Sequence, residues 1–340
     1  MRTLQLAVLS GIFFGLSTLG GDVSPTVPHY HVVREYKIPG DGSWDYISLD
    51  GTSRRLYVSH GRQLEVLNAD TGQIIGQVSD TPGVHGVAIA PDLNRGFTSN
   101  GQDKSVTVFN ALTLKPIKKV SVEGTDFILY DSFSKRVFPM NEKVTVLDGS
   151  TGDRVGDIEL GGNPEAAVSD GKGKVYVNLA DRNAVAVVDA KNLKVAATYP
   201  IDRCTSPHSL VYDESGERLF IGCREGLAVM DATNGVVVAR TIMCSAVDAA
   251  AFDRKNNLIF ESCAEGVISV IRQFSPNYYE LVDTVKTQLW AKTMTFDPQT
   301  GTIFLPTAEF ETVRNTDPKY PLPFKREIKP GTFTILVVTP

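Results

Sequence analysis

Apolar and polar residues alternate in short bursts along this chain, each burst four to six residues long and closed by glycine, asparagine or aspartate. The fourth burst group shows the unit. Ala166 to Ser169, Lys174 to Asn178, Ala184 to Asp189 and Val195 to Tyr199 alternate as strands, and SDGKGK, ADRN and DAKN separate them as turns. No stretch carries the 3.6-residue apolar period of an amphipathic helix. The unit recurs. An aromatic marks its second strand at Tyr57, Phe97, Phe138, Tyr176, Phe220, Phe260 and Phe304, with spacings of 40, 41, 38, 44, 40 and 44 residues. A period in this range marks propellers, solenoids and arrays. Seven units of four antiparallel strands predict an all-β, seven-bladed β-propeller.

The ends of the chain agree. The last unit supplies only three strands, Thr293 to Phe296, Thr302 to Leu305 and Thr332 to Val338. The spare strand is His31 to Ile38, which is expected to complete the last blade and hide a sheet edge. Residues 22–340 are therefore read as one propeller domain. Residues 1–21 read as a cleaved secretory signal, with Arg2 ahead of an apolar stretch and small residues at Gly20 and Gly21. The third strands end in Asp148, Asp189 and Asp231, with Asn68 at the same place, where a short polar side chain bonds the following turn.

The motifs LYVS, VYVN, HGVAIAPD, DGSTG and PGTFTILVV resemble the YVTN-repeat, or YncE-like, seven-bladed β-propellers. The resemblance spans nearly all of the chain after residue 21. It implies the propeller fold and leaves function open, because relatives are associated with DNA contact, lactone hydrolysis or cell-surface roles.

Composition narrows the partners. A net charge of −5 gives no general attraction to phosphate backbones, so nucleic acid is not an expected partner. Four cysteines occupy equivalent positions in two neighbouring units, Cys204 and Cys223 in one, Cys244 and Cys263 in the next. An oxidising compartment turns such cysteines into disulfides. Repeat equivalence favours Cys204–Cys223 with Cys244–Cys263; a Cys223–Cys244 bridge and a thiolate metal site are the alternatives. The expected location is secreted or periplasmic, with no membrane span after the signal, and a monomer is expected.

The candidate chemistry lies in one column of the repeat. Twelve residues before each marker aromatic, or eleven in the fourth unit, stand Asp45, His85, Asp126, Glu165, His208, Asp248 and Lys292. All seven are ionisable, although such residues make up under a quarter of the chain. They are expected to ring the mouth of the central channel, Lys292 pairing with Asp45 or Asp248. One use is a polar lining for a water-filled channel. Another is a metal site in which His85 and His208 supply nitrogen and Asp126 and Glu165 supply oxygen, the expected cofactor being a divalent cation. A second ring, three residues after each aromatic, holds His60, Asn100 and Asn141, which extend the site or cap loops. Trp44 and Trp290 flank ring positions as an apolar wall or as packing between blades. An insertion at about 309–330 is expected on the same face. No phosphate loop, GxSxG elbow, haem motif or serine spaced beside a histidine as a triad appears. Two functions follow: a propeller binding a small molecule or protein at the charged mouth, or a metal-assisted hydrolase, lactonase-like. A DNA-binding role ranks third.

Overall fold

A computed structural model describes residues 28–316 and 322–340 of the 340-residue chain. The expected signal at residues 1–21 lies outside the described residues. Seven four-stranded antiparallel sheets follow one another as blades. The first blade, for example, runs Ile47–Asp50, Arg55–His60, Gln63–Asn68 and Ile74–Val78. The last pairs Thr295–Asp297, Thr302–Thr307 and Thr334–Thr339 with the N-terminal strand His31–Lys37. That strand runs antiparallel to Thr334–Thr339, from His31 opposite Thr339 to Lys37 opposite Thr334, so the ring closes by joining the two ends of the chain. Tyr30 adds an edge-on contact to Phe260 of blade six at 4.8 Å.

The repeat is legible in the packing. All seven marker aromatics are buried, and each packs against the blade that follows. Tyr57 meets Phe109 of blade two, Phe97 meets Val137 of blade three, and Phe304 meets Leu56 of blade one. A fully buried aromatic of this kind contributes on the order of 1.5–3 kcal/mol by removal from water. Three residues before each one, the chain turns through a left-handed residue: Arg54, Asn94, Lys135, Gly173, Glu217, Asn257 and Gly301. Only two of the seven are glycine, so packing on both sides holds the other five in a conformation they rarely adopt alone. Asn68, Asp148, Asp189 and Asp231 each accept backbone N–H bonds from the turn that follows, the structural role expected of them.

The cysteines pair within blades, Cys204 with Cys223 and Cys244 with Cys263, and no cysteine is free. The insertion folds in part as a hairpin of Phe310–Arg314 against Phe324–Ile328; residues 317–321 lie outside the described residues. Among the described residues no helix is long and apolar enough to cross a membrane.

Candidate functional site

The seven ionisable side chains gather where the first strand of each blade begins. Two local devices aim them. In blades two, four and six the pairing of the first two strands slips, between Val84 and Val87, Pro164 and Ala167, and Val247 and Ala249. His85, Glu165 and Asp248 sit in these bulges, which turn a side chain out of its alternating direction. Second, a left-handed residue stands two positions before the ring residue in five blades: Gly83, Gly124, Ser206, Ala246 and Trp290.

Hydroxyls of one blade then fix the backbone of the next. Ser99 donates to the carbonyl of Asp126, and Ser262 to that of Lys292. Thr293 Oγ1 donates to the carbonyl of Asp45 at 2.5 Å, across the closure of the ring. Ser59 Oγ accepts the Asp45 N–H at 2.7 Å. A ring position is therefore held from two blades at once, so the charged atoms are spaced by blade packing and not by loop freedom.

The ring divides into three groups. His85 Nδ1 lies 2.8 Å from Asp45 Oδ2 and 3.0 Å from Asp126 Oδ1, so consecutive blades one, two and three meet at one imidazole. Lys292 Nζ pairs with Asp248 Oδ2 at 2.6 Å. His208 Nδ1 lies 3.5 Å from Glu165 Oε2, and its Nε2 lies 3.1 Å from Ser206 Oγ. Of the expected metal set, His85 and Asp126 meet each other, and Glu165 and His208 meet each other, as two separate groups. Each imidazole is held by the carboxylate nearest it, and Asp45 joins His85 and Asp126 while Glu165 and His208 form a pair of their own. Asp45, His85 and Asp126 bring their ligand atoms within 4.8 Å of one another.

The electrostatics follow these contacts. Hydrogen bonds to Asp126 and Asp45 push His85 up to about 10, against the cost of burying its charge. Burial raises Asp45; it is also the largest single influence on Asp126, but the hydrogen bond and charge of His85, with Asp45 and Lys292, together outweigh it and hold Asp126 low. The Glu165 contact raises His208. Burial opposes the charge on Lys292, and Asp248 and Asp45 more than restore it. Lys292 also acts on Asp45, its neighbour across the closure, and on Asp126.

Three expected site residues pack against aromatics, His60 buried, Trp44 half-buried and Trp290 still exposed on one side. His60 is 3% exposed and stacks on Phe333 at 4.4 Å, in space left by Gly42, so it is part of the wall between blades seven and one. Trp44 packs between Phe333 and Phe310, and Trp290 also packs on Phe310. The insertion therefore roots itself beside the ring, with its first aromatic between the two tryptophans. In the second ring, Asn100 bonds Ser105 and Thr107, and Asn141 bonds the Glu123 carbonyl, both loop or strand fixtures.

The sequence reading missed Tyr46 and Phe127. They follow Asp45 and Asp126 in the chain, line the channel and meet edge to face at 5.2 Å. Burial, with the field of the ring carboxylates added to it, raises the Tyr46 phenol well above its ordinary value. Beyond them the channel is a cavity of about 570 Å³, lined by the first strands. A second cavity, about 590 Å³, lies against His208, Asp248, Lys292 and Trp290. The signal was present in the sequence: two aromatics stand one residue after the ring column, where the other blades carry glycine, alanine, serine or threonine.

Comparison with solved structures supports the fold alone. The chain is similar to hydrazine synthase of Kuenenia stuttgartiensis, with 15% identity and a TM-score of 0.68 over 79% of this chain and 93% of that one. It is similar also to the WD40 repeats of RRP9, with 9% identity and a TM-score of 0.69 over 82% of this chain and 91% of that one. No protein-family model matches the chain, and no curated protein matches it.

Proposed function

We propose that this protein is an exported propeller of the YVTN-repeat type that binds its ligand at the charged mouth of the channel, through a divalent cation held by Asp45, His85 and Asp126. The observation that carries the reading is the meeting of these three side chains, from three consecutive blades, with their ligand atoms within 4.8 Å. One imidazole nitrogen and two carboxylates suit zinc or a similar transition metal. Lys292 does not confront the cation as a bare charge, because Asp248 neutralises it at 2.6 Å. The two disulfides agree with export into an oxidising compartment. A small molecule carrying an oxygen donor would complete the coordination, and the wall bearing Trp44 and Trp290 stands beside it.

The same triad favours metal-assisted hydrolysis as the second reading, because three protein ligands leave a position for water or a substrate carbonyl. Calorimetric titration with Zn²⁺, Mn²⁺ and Ca²⁺ tests the first reading. One ion should bind per chain, and the paired change Asp45→Asn with Asp126→Asn should abolish it while the circular dichroism spectrum is kept. Absence of binding at millimolar metal, or binding untouched by the paired change, rejects the site. Hydrolysis of a lactone panel by the metal-loaded protein would then separate the second reading from the first.

A further inference from the structure

We propose that Ser206, His208 and Glu165 form a second, metal-independent centre for acyl transfer, taking a small ester or lactone that carries an anionic group. The three side chains stand in the order a serine hydrolase requires. Ser206 Oγ lies 3.1 Å from His208 Nε2, and His208 Nδ1 lies 3.5 Å from Glu165 Oε2. One nitrogen faces the nucleophile and the other faces the acid, so the carboxylate orients the ring and stabilises the imidazolium that forms. Contacts in structures without substrate are often longer than in the reacting complex.

The left-handed turn at Ser206 is a property of the repeat, since Gly83, Gly124, Ala246 and Trp290 share it. What is particular to blade five is the hydroxyl at that turn, two residues before a histidine. Its surroundings hold it still. The Cys204–Cys223 disulfide anchors the loop two residues earlier. The Ser206 N–H donates to Asn183 Oδ1 at 3.0 Å, and the His208 N–H to the Gly222 carbonyl at 2.9 Å. Ser206 and His208 are both half-buried, within reach of solvent. His208 opens on the cavity of about 590 Å³, a size suited to a small ligand. Asp248 also lines that cavity but is paired with Lys292 at 2.6 Å, so Arg224 is left to supply its positive charge, and Trp290 and Val247 bring apolar surface, hence the anionic ester.

In the reaction, Ser206 Oγ bonds to the substrate carbonyl carbon while His208 Nε2 accepts the hydroxyl proton. The C–O bond to the leaving group breaks, and His208 returns the proton to the departing alkoxide. Water then attacks the acyl-serine while His208 takes a proton from it, the bond between Ser206 Oγ and the acyl carbon breaks, and His208 returns that proton to Ser206 Oγ as the carboxylic acid leaves. The net change is addition of one water across the ester, with no oxidant or reductant.

The test uses the full mature chain with a fluorophosphonate probe, p-nitrophenyl acetate and p-nitrophenyl hemisuccinate. The probe should form one adduct per chain, and peptide mass spectrometry should find it on Ser206. Hydrolysis should persist in EDTA and favour the hemisuccinate. Ser206→Ala should lower kcat/KM at least about 100-fold, the range of a lost general-base pathway, and Arg224→Gln should remove the preference for hemisuccinate. An adduct elsewhere or none, hydrolysis retained by Ser206→Ala, or activity lost to EDTA and restored by zinc would each overturn the proposal. If Ser206→Ala fails to fold, the adduct map on the wild-type chain decides. Calorimetry at the Asp45–His85–Asp126 triad is independent of these readouts.

Discussion

Glu261 is the residue whose setting departs furthest from its chemistry. It follows a marker aromatic, at a position held by valine, leucine, isoleucine, proline or threonine in the other blades, and it is completely buried. Ser209 Oγ donates to its Oε2 at 2.6 Å, and its Oε1 has no hydrogen-bond partner. Burial pushes the carboxyl up to about 8. The folded protein therefore holds this proton more tightly than the unfolded chain does. Its stabilising contribution is complete below the unfolded value near 4.5 and is lost as pH rises towards 8. Glu261→Gln should then narrow the loss of stability between pH 5 and pH 8 by at least about 1 kcal/mol, since a tenfold difference in proton affinity is worth about 1.4 kcal/mol. Urea unfolding at both pH values measures it, and equal changes at the two would count against the assignment. His85 gives a second residue-scale prediction. Its imidazolium persists to about 10, and metal requires the neutral ring, so binding at the triad displaces its proton. Affinity for zinc should rise about tenfold per pH unit from 6 to 9. A pH-independent affinity would mean that His85 is not a ligand. An isolated imidazole would place this dependence near its ordinary value of 6.5; the hydrogen bonds to Asp126 and Asp45 move it upward.

At the scale of elements, closure and staples carry the stability. Removing His31–Lys37 strips blade seven of its outer strand and exposes the edge of Thr334–Thr339. The truncated chain should unfold at lower denaturant concentration in all blades together, which circular dichroism follows. Each disulfide joins cysteines 19 residues apart. A closed loop of about that length stabilises by about 3 kcal/mol, chiefly through the unfolded chain. Thiol titration of the denatured, non-reduced protein should find none free, and four reactive thiols would contradict the paired state. The insertion hairpin has its own test. The chain has two tryptophans, and Phe310 touches both. Trp290 is exposed and Trp44 half-buried, so Phe310→Ala should shift the Trp44 emission to the red, and an unmoved spectrum would mean that the hairpin root does not shield it.

For the whole molecule, the seven blades behave as one ring because each marker aromatic is shared with the next blade. Phe220 illustrates this, packed against Phe252 at 5.0 Å and Tyr279 at 5.8 Å, both of blade six. Its replacement by alanine should cost about 3–5 kcal/mol. The loss should appear as a single cooperative transition, not as the melting of one blade. The charged mouth depends on that rigidity. Asp45, His85 and Asp126 come from separate blades, and a shift of one blade against another would part them.

The sequence by itself determined the repeat, the seven blades, the strand that closes them and the column of charged positions. It could do so because the alternation of strands and the turn residues are local, and because seven copies of one pattern reinforce each other. The cysteine pairing was favoured by that same equivalence, although its rival needed coordinates to remove. The tertiary structure alone decided which charges meet. Neighbours around a ring come from residues about forty apart in the chain, and their side chains are aimed by bulges at His85, Glu165 and Asp248 that no spacing reveals. It also decided that His60 packs on Phe333, from the opposite end of the chain, and that Ser206 reaches His208, whose far nitrogen is held by Glu165 of another blade. A period read along the chain gives each position its place on a blade; the side chain it faces across the blade boundary is set by packing.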